Sequence, residues 1–225
     1  MSKQLVVGLI LGACVVAGWL SGFLIAPMDG AQGQVYRIIY LHVPSAFNAF
    51  FSAFALLGFS IWALKSKSES ALTWSKSCAE VGLILTALCL ATGSIWGRPT
   101  WNTWWTWDAR LTTTLLLAIL YCGFLLLYAT MQPGTSRIKS CAVLGILIAV
   151  DVPVIYKSVT WWRTLHQPTD IIDNRGANMD STMLSVLLLN VIFLGLYSFW
   201  MIYFRQSVLN QRSALEAESL ASMNK

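Results

Sequence analysis

The chain has 225 residues, of which 56% are hydrophobic and 11% charged, with a mean hydropathy of +0.63. That composition excludes an ordinary soluble domain and points to a membrane protein. The net charge of +5 comes without a basic cluster or nucleic-acid module, so nucleic acid is excluded as a partner.

A helix crossing ~30 Å of hydrocarbon needs ~20 apolar residues. Six stretches satisfy this, at 5–26, 43–64, 78–96, 111–131, 138–156 and 183–204. Each is continuous and lacks the alternation of a membrane barrel, so the fold class is an all-α polytopic membrane protein with six transmembrane helices. The first stretch follows Lys3 and is longer than the 7–15 residues typical of a signal-peptide core, which reads as a retained helix. A loop at 27–42 follows, closing on Tyr40-Leu41-His42-Val43-Pro44 at the start of the second helix. Glu80, near one end of the third helix, is expected to snorkel to the interface.

After the third helix comes the densest feature of the chain. Trp96-Gly97-Arg98-Pro99-Thr100 leads into Trp101-Asn102-Thr103-Trp104-Trp105-Thr106-Trp107-Asp108-Ala109-Arg110, so five of the eleven tryptophans fall within twelve positions. Single indoles suffice as interfacial anchors; a cluster also offers a flat aromatic surface for a large planar ligand. If 100–108 is helical, Trp101, Trp104, Trp105 and Asp108 share one face and Trp107 points sideways. If it is extended, Thr103, Trp105 and Trp107 align. The spacing favours a short interfacial helix, with Pro99 tolerated before its first turn.

Asp151, before Pro153 in the fifth helix, sits ~7 Å inside its outer end at 1.5 Å per residue. An ionisable residue there is a functional candidate, with contact to interfacial water as the plainer reading. The loop at 157–182 carries Trp161-Trp162-Arg163-Thr164-Leu165-His166. The sixth helix ends at 204, and 205–225 is expected to be a cytoplasmic tail, a short helix or a disordered end. The organisation is one membrane domain, 1–204, with the tryptophan-rich loop 97–110 facing outward.

Lys3, Lys65, Lys67, Lys76, Arg137, Lys139, Arg205, Arg212 and Lys225 lie on one side, against Arg37, Arg98, Arg110, Lys157, Arg163 and Arg175 on the other. The positive-inside rule then puts both termini in the cytoplasm and the loops at 27–42, 97–110 and 157–182 outside. Cys14, Cys78, Cys89, Cys122 and Cys141 all fall in or beside apolar stretches, with no C-x-x-C or C-x-x-C-H. Covalent c-type haem attachment is thereby excluded, and the cysteines read as small hydrophobes.

His42 and His166 are the only histidines, and this topology puts both on the outer side. Each alone is an ordinary interfacial residue. Together, flanking the tryptophan loop, they suit the two axial positions of a haem iron, with the porphyrin resting on indoles. Arg98 and Arg110 bracket the cluster; they fit either haem propionates or, equally, interfacial anchoring and pairing with Asp108.

The run from Trp96 to Thr112 resembles the tryptophan-rich WWD signature of haem-handling membrane proteins in cytochrome c biogenesis. Within that group, six helices, this length and one outward histidine on each side of the motif resemble the CcmC, or haem exporter protein C, family over nearly the whole chain. The resemblance implies a haem-binding subunit, not an enzyme, in the bacterial inner membrane. It implies transient, non-covalent haem b at the periplasmic face and delivery to the haem chaperone CcmE. It further implies a complex with the ATPase CcmA and the membrane proteins CcmB and CcmD. By position, His42 and His166 become the axial ligands. Trp101, Trp104, Trp105, Trp107 and Asp108 become the platform, and Arg110 a propionate or chaperone contact. ATP hydrolysis falls to a partner, because this chain has no G-x-x-x-x-G-K-[ST] phosphate loop. A b-type electron-transfer protein would bury its histidine pair deep between helices. A lipid-glycan enzyme would leave both histidines without a role.

Overall fold

The computed structural model describes residues 3–166, 172–173, 176–177 and 179–223. Arg175 and Lys225, counted above among the loop and tail charges, lie outside them. Six helices follow in order: α1 (Lys3–Leu20), α2 (Ile39–Ser66), α3 (Glu69–Trp101), α4 (Ala109–Thr130), α5 (Thr135–Trp161) and α6 (Ser181–Met223). All six are long and apolar enough to span a membrane, matching the six expected stretches in number and order. A π turn, Ser21–Ile25, continues α1, and a 3₁₀ turn, Gln34–Ile38, leads into α2. Beside the helices stands a two-residue antiparallel pair, β1 (Ile172–Asp173) with β2 (Gly176–Ala177).

The helices outrun their apolar stretches because polar caps, invisible to hydropathy, set their ends. Ser68 accepts the Ala71 N–H at 3.2 Å to start α3, and Asp180 accepts those of Thr182 and Met183 at 2.8 and 3.2 Å to start α6. These bonds satisfy donors that the first helical turn leaves without partners. The tail beyond 204, expected as a short helix or a disordered end, is helical and continues α6 to Met223.

Hydrogen bonds show which connections share an end of the bundle. Trp96 Nε1 donates to Gln32 Oε1 at 2.9 Å and Thr164 Oγ1 to Asp108 Oδ2 at 2.6 Å, gathering the α1–α2, α3–α4 and α5–α6 connections. At the other end Arg137 pairs with Glu69 at 2.6 Å, and Arg205 Nη2 reaches Glu80 at 2.9 Å. Glu80 therefore does more than snorkel: it ties α3 to α6, with Lys76 also at 3.7 Å.

α2 and α3 pack along their lengths. α5 and α6 flank α2, α4 lies between α3 and α5, and α1 rests mainly on α6. Small residues permit the close approaches, as expected where lipid gives helices no hydrophobic reason to associate. A Cβ on Gly82 would lie 2.4 Å from Tyr121 Cζ. That closeness lets the Tyr121 hydroxyl cross to donate to the Ala49 carbonyl at 2.9 Å. Asn48 Nδ2 donates to Val191 O at 3.2 Å, and Asn190 Nδ2 to Gly18 O at 3.0 Å. Leu9, Phe51 and Phe199 point outward, exposed, as lipid-facing side chains do.

Candidate functional site

The tryptophan loop departs from the expected interfacial helix. α3 runs unbroken to Trp101 and stops because Asn102 adopts a left-handed conformation, φ 58°. Asparagine tolerates that region better than most residues, and Arg98 Nη1 donates to the exposed Asn102 carbonyl at 3.0 Å. Residues 103–107 are non-helical, and Asp108 then starts α4 by accepting the Leu111 N–H at 2.8 Å. The i, i+3, i+4, i+7 face of Trp101, Trp104, Trp105 and Asp108 therefore does not form. The spacing was compatible with a helix, but an αL residue and an N-cap bound the segment on either side.

The indoles separate accordingly. Trp101 stays on α3, edge-on to Trp96 with ring centroids 4.8 Å apart. Trp105 lies edge-on to Trp107 at 5.6 Å. Trp104 and Trp107 are 59% and 77% exposed. An open depression of about 340 Å³, lined by Thr106, Trp107, Asp108, Arg163, Thr164 and Leu165, lies beside them.

His166 reaches the tryptophans from the other loop. Its ring is 4.9 Å from Trp101, edge-on, and 6.1 Å from Trp96. Its Nδ1 lies 3.3 Å from Asp108 Oδ2, and its backbone N–H donates to Thr164 Oγ1 at 3.1 Å. The two side chains are 12% and 7% exposed, so the pair is shielded from water. Burial pulls the His166 pKa below its ordinary 6.5, against the upward pull of the Asp108 hydrogen bond and charge. Burial pulls the Asp108 carboxyl upward, but hydrogen bonds from Thr164, Leu111 and His166 outweigh it and leave it lowered. Near neutral pH this is a neutral imidazole beside a carboxylate, the state in which histidine binds a metal.

His42 is in the first turns of α2, half-buried against α3. Its Nδ1 lies 3.0 Å from the Cys89 carbonyl and 3.1 Å from Thr92 Oγ1. Gly93 leaves room for the ring, since a Cβ there would lie 3.1 Å from His42 Cε1. His42 thus sits against Gly93, and His166 against Trp96, on one stretch of α3 separated by a rise of about 4.5 Å. The two imidazoles, 124 positions apart in the chain, lie within electrostatic range of each other and of Arg110.

Arg110 spans from α4 to α5, donating through Nη2 to the carbonyls of Ile155 and Tyr156 at 3.3 and 3.2 Å. Its Nε is buried without a hydrogen-bond partner among the described residues, as is Trp105 Nε1. Asp108 takes its hydrogen bonds from Leu111, Thr164 and His166 and Arg98 is engaged in ending α3; among the described residues neither arginine hydrogen-bonds Asp108, while Arg110 lies within range of its charge. Asp151 is 6% exposed, and its Oδ2 is buried with no hydrogen-bond partner among the described residues. Cys89, Thr92, Gly93 and Thr164 were not legible as site residues. Thr164 alone carried a sequence signal, two positions from His166; the others depend on which helix faces His42.

Among the described residues no group of three or more His, Cys, Asp or Glu converges to hold an ion. Two imidazoles suit a metal whose equatorial positions a porphyrin already fills. The indoles of Trp96 and Trp101 and the unpartnered Arg110 and Trp105 N–H groups suit its ring and its carboxylates.

The family described as heme exporter protein C, CcmC, matches residues 2–219. Heme exporter protein C of Bradyrhizobium diazoefficiens is 37% identical over 172 residues, which cover 75% of this chain and 64% of that protein. The protein of the same name from Escherichia coli K12 is 39% identical over 157 residues, covering 68% and 62%. A putative cytochrome c biosynthesis ccmC-like mitochondrial protein of Marchantia polymorpha is 36% identical over 197 residues, covering 88% and 81%. This chain therefore spans somewhat less than two thirds of the length of the first two relatives.

Proposed function

The chain belongs to the heme exporter protein C family, and from that premise we propose that it binds haem at the periplasmic face of the inner membrane and delivers it to the haem chaperone CcmE during cytochrome c maturation. It does so as the haem-holding subunit of a CcmABCD-type complex, with ATP hydrolysis in the CcmA partner. The observation that supports this reading is the convergence of the two histidines on one stretch of α3 beside Trp96 and Trp101.

In this reading the haem is cargo. His42 and His166 supply neutral imidazole ligands from two sides of the iron. Trp101 and Trp105, with Trp96, shield the porphyrin from water, while the exposed Trp104 and Trp107 face the incoming chaperone. Arg110, and the depression beside Asp108, lie where propionates and the partner meet the protein. Both imidazoles sit where helices meet loops, which suits a haem that leaves more than one held permanently. The positive-inside bias of Lys and Arg supports the assignment of this end to the periplasm.

The test is transfer. Haem-loaded protein in detergent is mixed with purified haem chaperone, and haem is followed on each partner after separation. Passage to the chaperone, abolished in His166→Ala, is expected. Haem that stays on this chain under chaperone excess would make it a resident b-type protein instead.

A further inference from the structure

The two histidines are held by different chemistry. At His42, Nδ1 faces the Cys89 carbonyl at 3.0 Å, which can only accept. The second neighbour, Thr92 Oγ1 at 3.1 Å, has one hydrogen, and that is directed to the Leu88 carbonyl at 2.7 Å, with the Cys89 carbonyl at 3.1 Å. Its lone pair is therefore what meets the imidazole. Two acceptors at one ring nitrogen require that nitrogen to carry the hydrogen, so Nδ1 is protonated and Nε2 keeps its lone pair. Gly93 fixes the ring's distance from α3, because any Cβ there would meet Cε1 at 3.1 Å and Nδ1 at 3.5 Å.

At His166 the tautomer is the same, since Nδ1 faces a carboxylate oxygen at 3.3 Å. The difference is charge. A carboxylate behind an imidazole raises its basicity as a ligand, and hydrogen bonds to an ionised acceptor are roughly twice as strong as neutral ones. His42 has a carbonyl and a hydroxyl instead, with the uncharged Cys89 thiol 3.9 Å from both ring nitrogens.

We propose that the Cys89–Gly93 turn of α3 is a positioning seat that presents His42 Nε2 as the weaker of two iron ligands, so that His42 is the ligand exchanged first when haem leaves. The proposal rests on the haem-ligand reading above. In the exchange the iron–Nε2 bond of His42 breaks and a bond from the incoming ligand's lone pair forms. No electron moves, and no proton moves, because His42 keeps its hydrogen on Nδ1 throughout. Thr92 and Gly93 act through His42 and are positioning residues.

The first measurement needs no haem. The full chain is labelled with ¹⁵N-histidine, and its four ring nitrogens are assigned by losing one pair in His42→Asn and the other in His166→Asn. Protonated Nδ1 and unprotonated Nε2 at both residues are expected, with Thr92→Val moving only the His42 signals. A protonated Nε2 at His42, or rapid averaging of its tautomers, overturns the seat.

The second titrates haem-loaded protein with free imidazole. In Thr92→Val and Gly93→Ala the concentration that displaces a native ligand falls about tenfold, the lower end of what loss of a ligand's supporting hydrogen bond costs. His42→Ala retains more haem than His166→Ala. Unchanged displacement in both positioning variants, or better retention in His166→Ala, overturns the order of exchange. If His42→Ala leaves the wild-type haem spectrum intact, the ligand reading itself has failed, and the nitrogen signals report on the seat separately.

Discussion

Asp108 joins three functions in one carboxylate, and two substitutions separate them. It caps α4 by accepting the Leu111 N–H at 2.8 Å, accepts the Thr164 hydroxyl at 2.6 Å and faces His166 Nδ1 at 3.3 Å. Asp108→Ala removes all three. Loss of the cap costs about 1 kcal/mol, and loss of each of the two hydrogen bonds to the charged carboxylate, from Thr164 and His166, about 1.5–3 kcal/mol. Together that is about 4–7 kcal/mol, enough to detach the 162–166 segment from the α3–α4 loop. Asp108→Asn keeps the cap, because asparagine caps as well as aspartate. Its amide nitrogen then stands where Oδ2 accepted from Thr164 and faced His166, so Thr164 must turn its hydroxyl to accept instead. What it removes is the negative charge and the acceptor behind His166. The melting temperature of Asp108→Asn should stay within a few degrees of wild type, while haem affinity falls 10- to 100-fold. Asp108→Ala should lose both. Absorption titration of haem into detergent-solubilised protein, beside a thermal melt of each variant, reads the two quantities separately. Wild-type haem affinity in Asp108→Asn would refute the argument that this carboxylate supports His166.

Other consequences are testable in the same preparations. Trp104→Ala, at a ring exposed to the outside, should slow transfer to the chaperone and leave the haem ligation spectrum unchanged; complete loss of bound haem would contradict that division of labour. Because the His166 pKa is held below 6.5, its neutral, ligating form is retained at neutral pH and lost as pH falls below 6.5 toward the lowered value. Haem retention should fall over that acid range, and Asp108→Asn should move the fall to lower pH, as removing the charge takes away an upward pull on His166. An acid fall that shifts upward in Asp108→Asn would show the sign to be wrong. Gly82→Leu forces a side chain into the Tyr121 ring and should destabilise the α3–α4 packing by about 1–3 kcal/mol, seen as a lower melting temperature with and without haem.

The membrane class and the six helices were legible because ~20-residue apolar runs carry their own signal and lipid leaves the backbone few alternatives. The two histidines were legible as residues, being the only ones present and both placed by topology at one side. Their supports were not. Asp108 sits in a motif with several meanings, and nothing local marks its carboxylate as the cap of α4 and the partner of Thr164 and His166. The Cys89–Gly93 turn reads as a run of small residues in a span, and only the packing of α2 on α3 makes it the seat of His42. The tryptophan loop was misread for a physical reason: helical periodicity survives in 101–108, but Asn102 accepts a left-handed conformation and breaks the helix after its first indole. The burial of Asp151 was not legible, because depth along a helix does not reveal which face is turned inward.

The most direct test of the account is the absorption spectrum of the haem-loaded protein, oxidised and reduced, beside His42→Ala and His166→Ala. A low-spin spectrum of iron with two imidazole ligands, altered in each single variant, is expected. A spectrum unchanged by either substitution, or a wild-type protein that binds no haem, would contradict it.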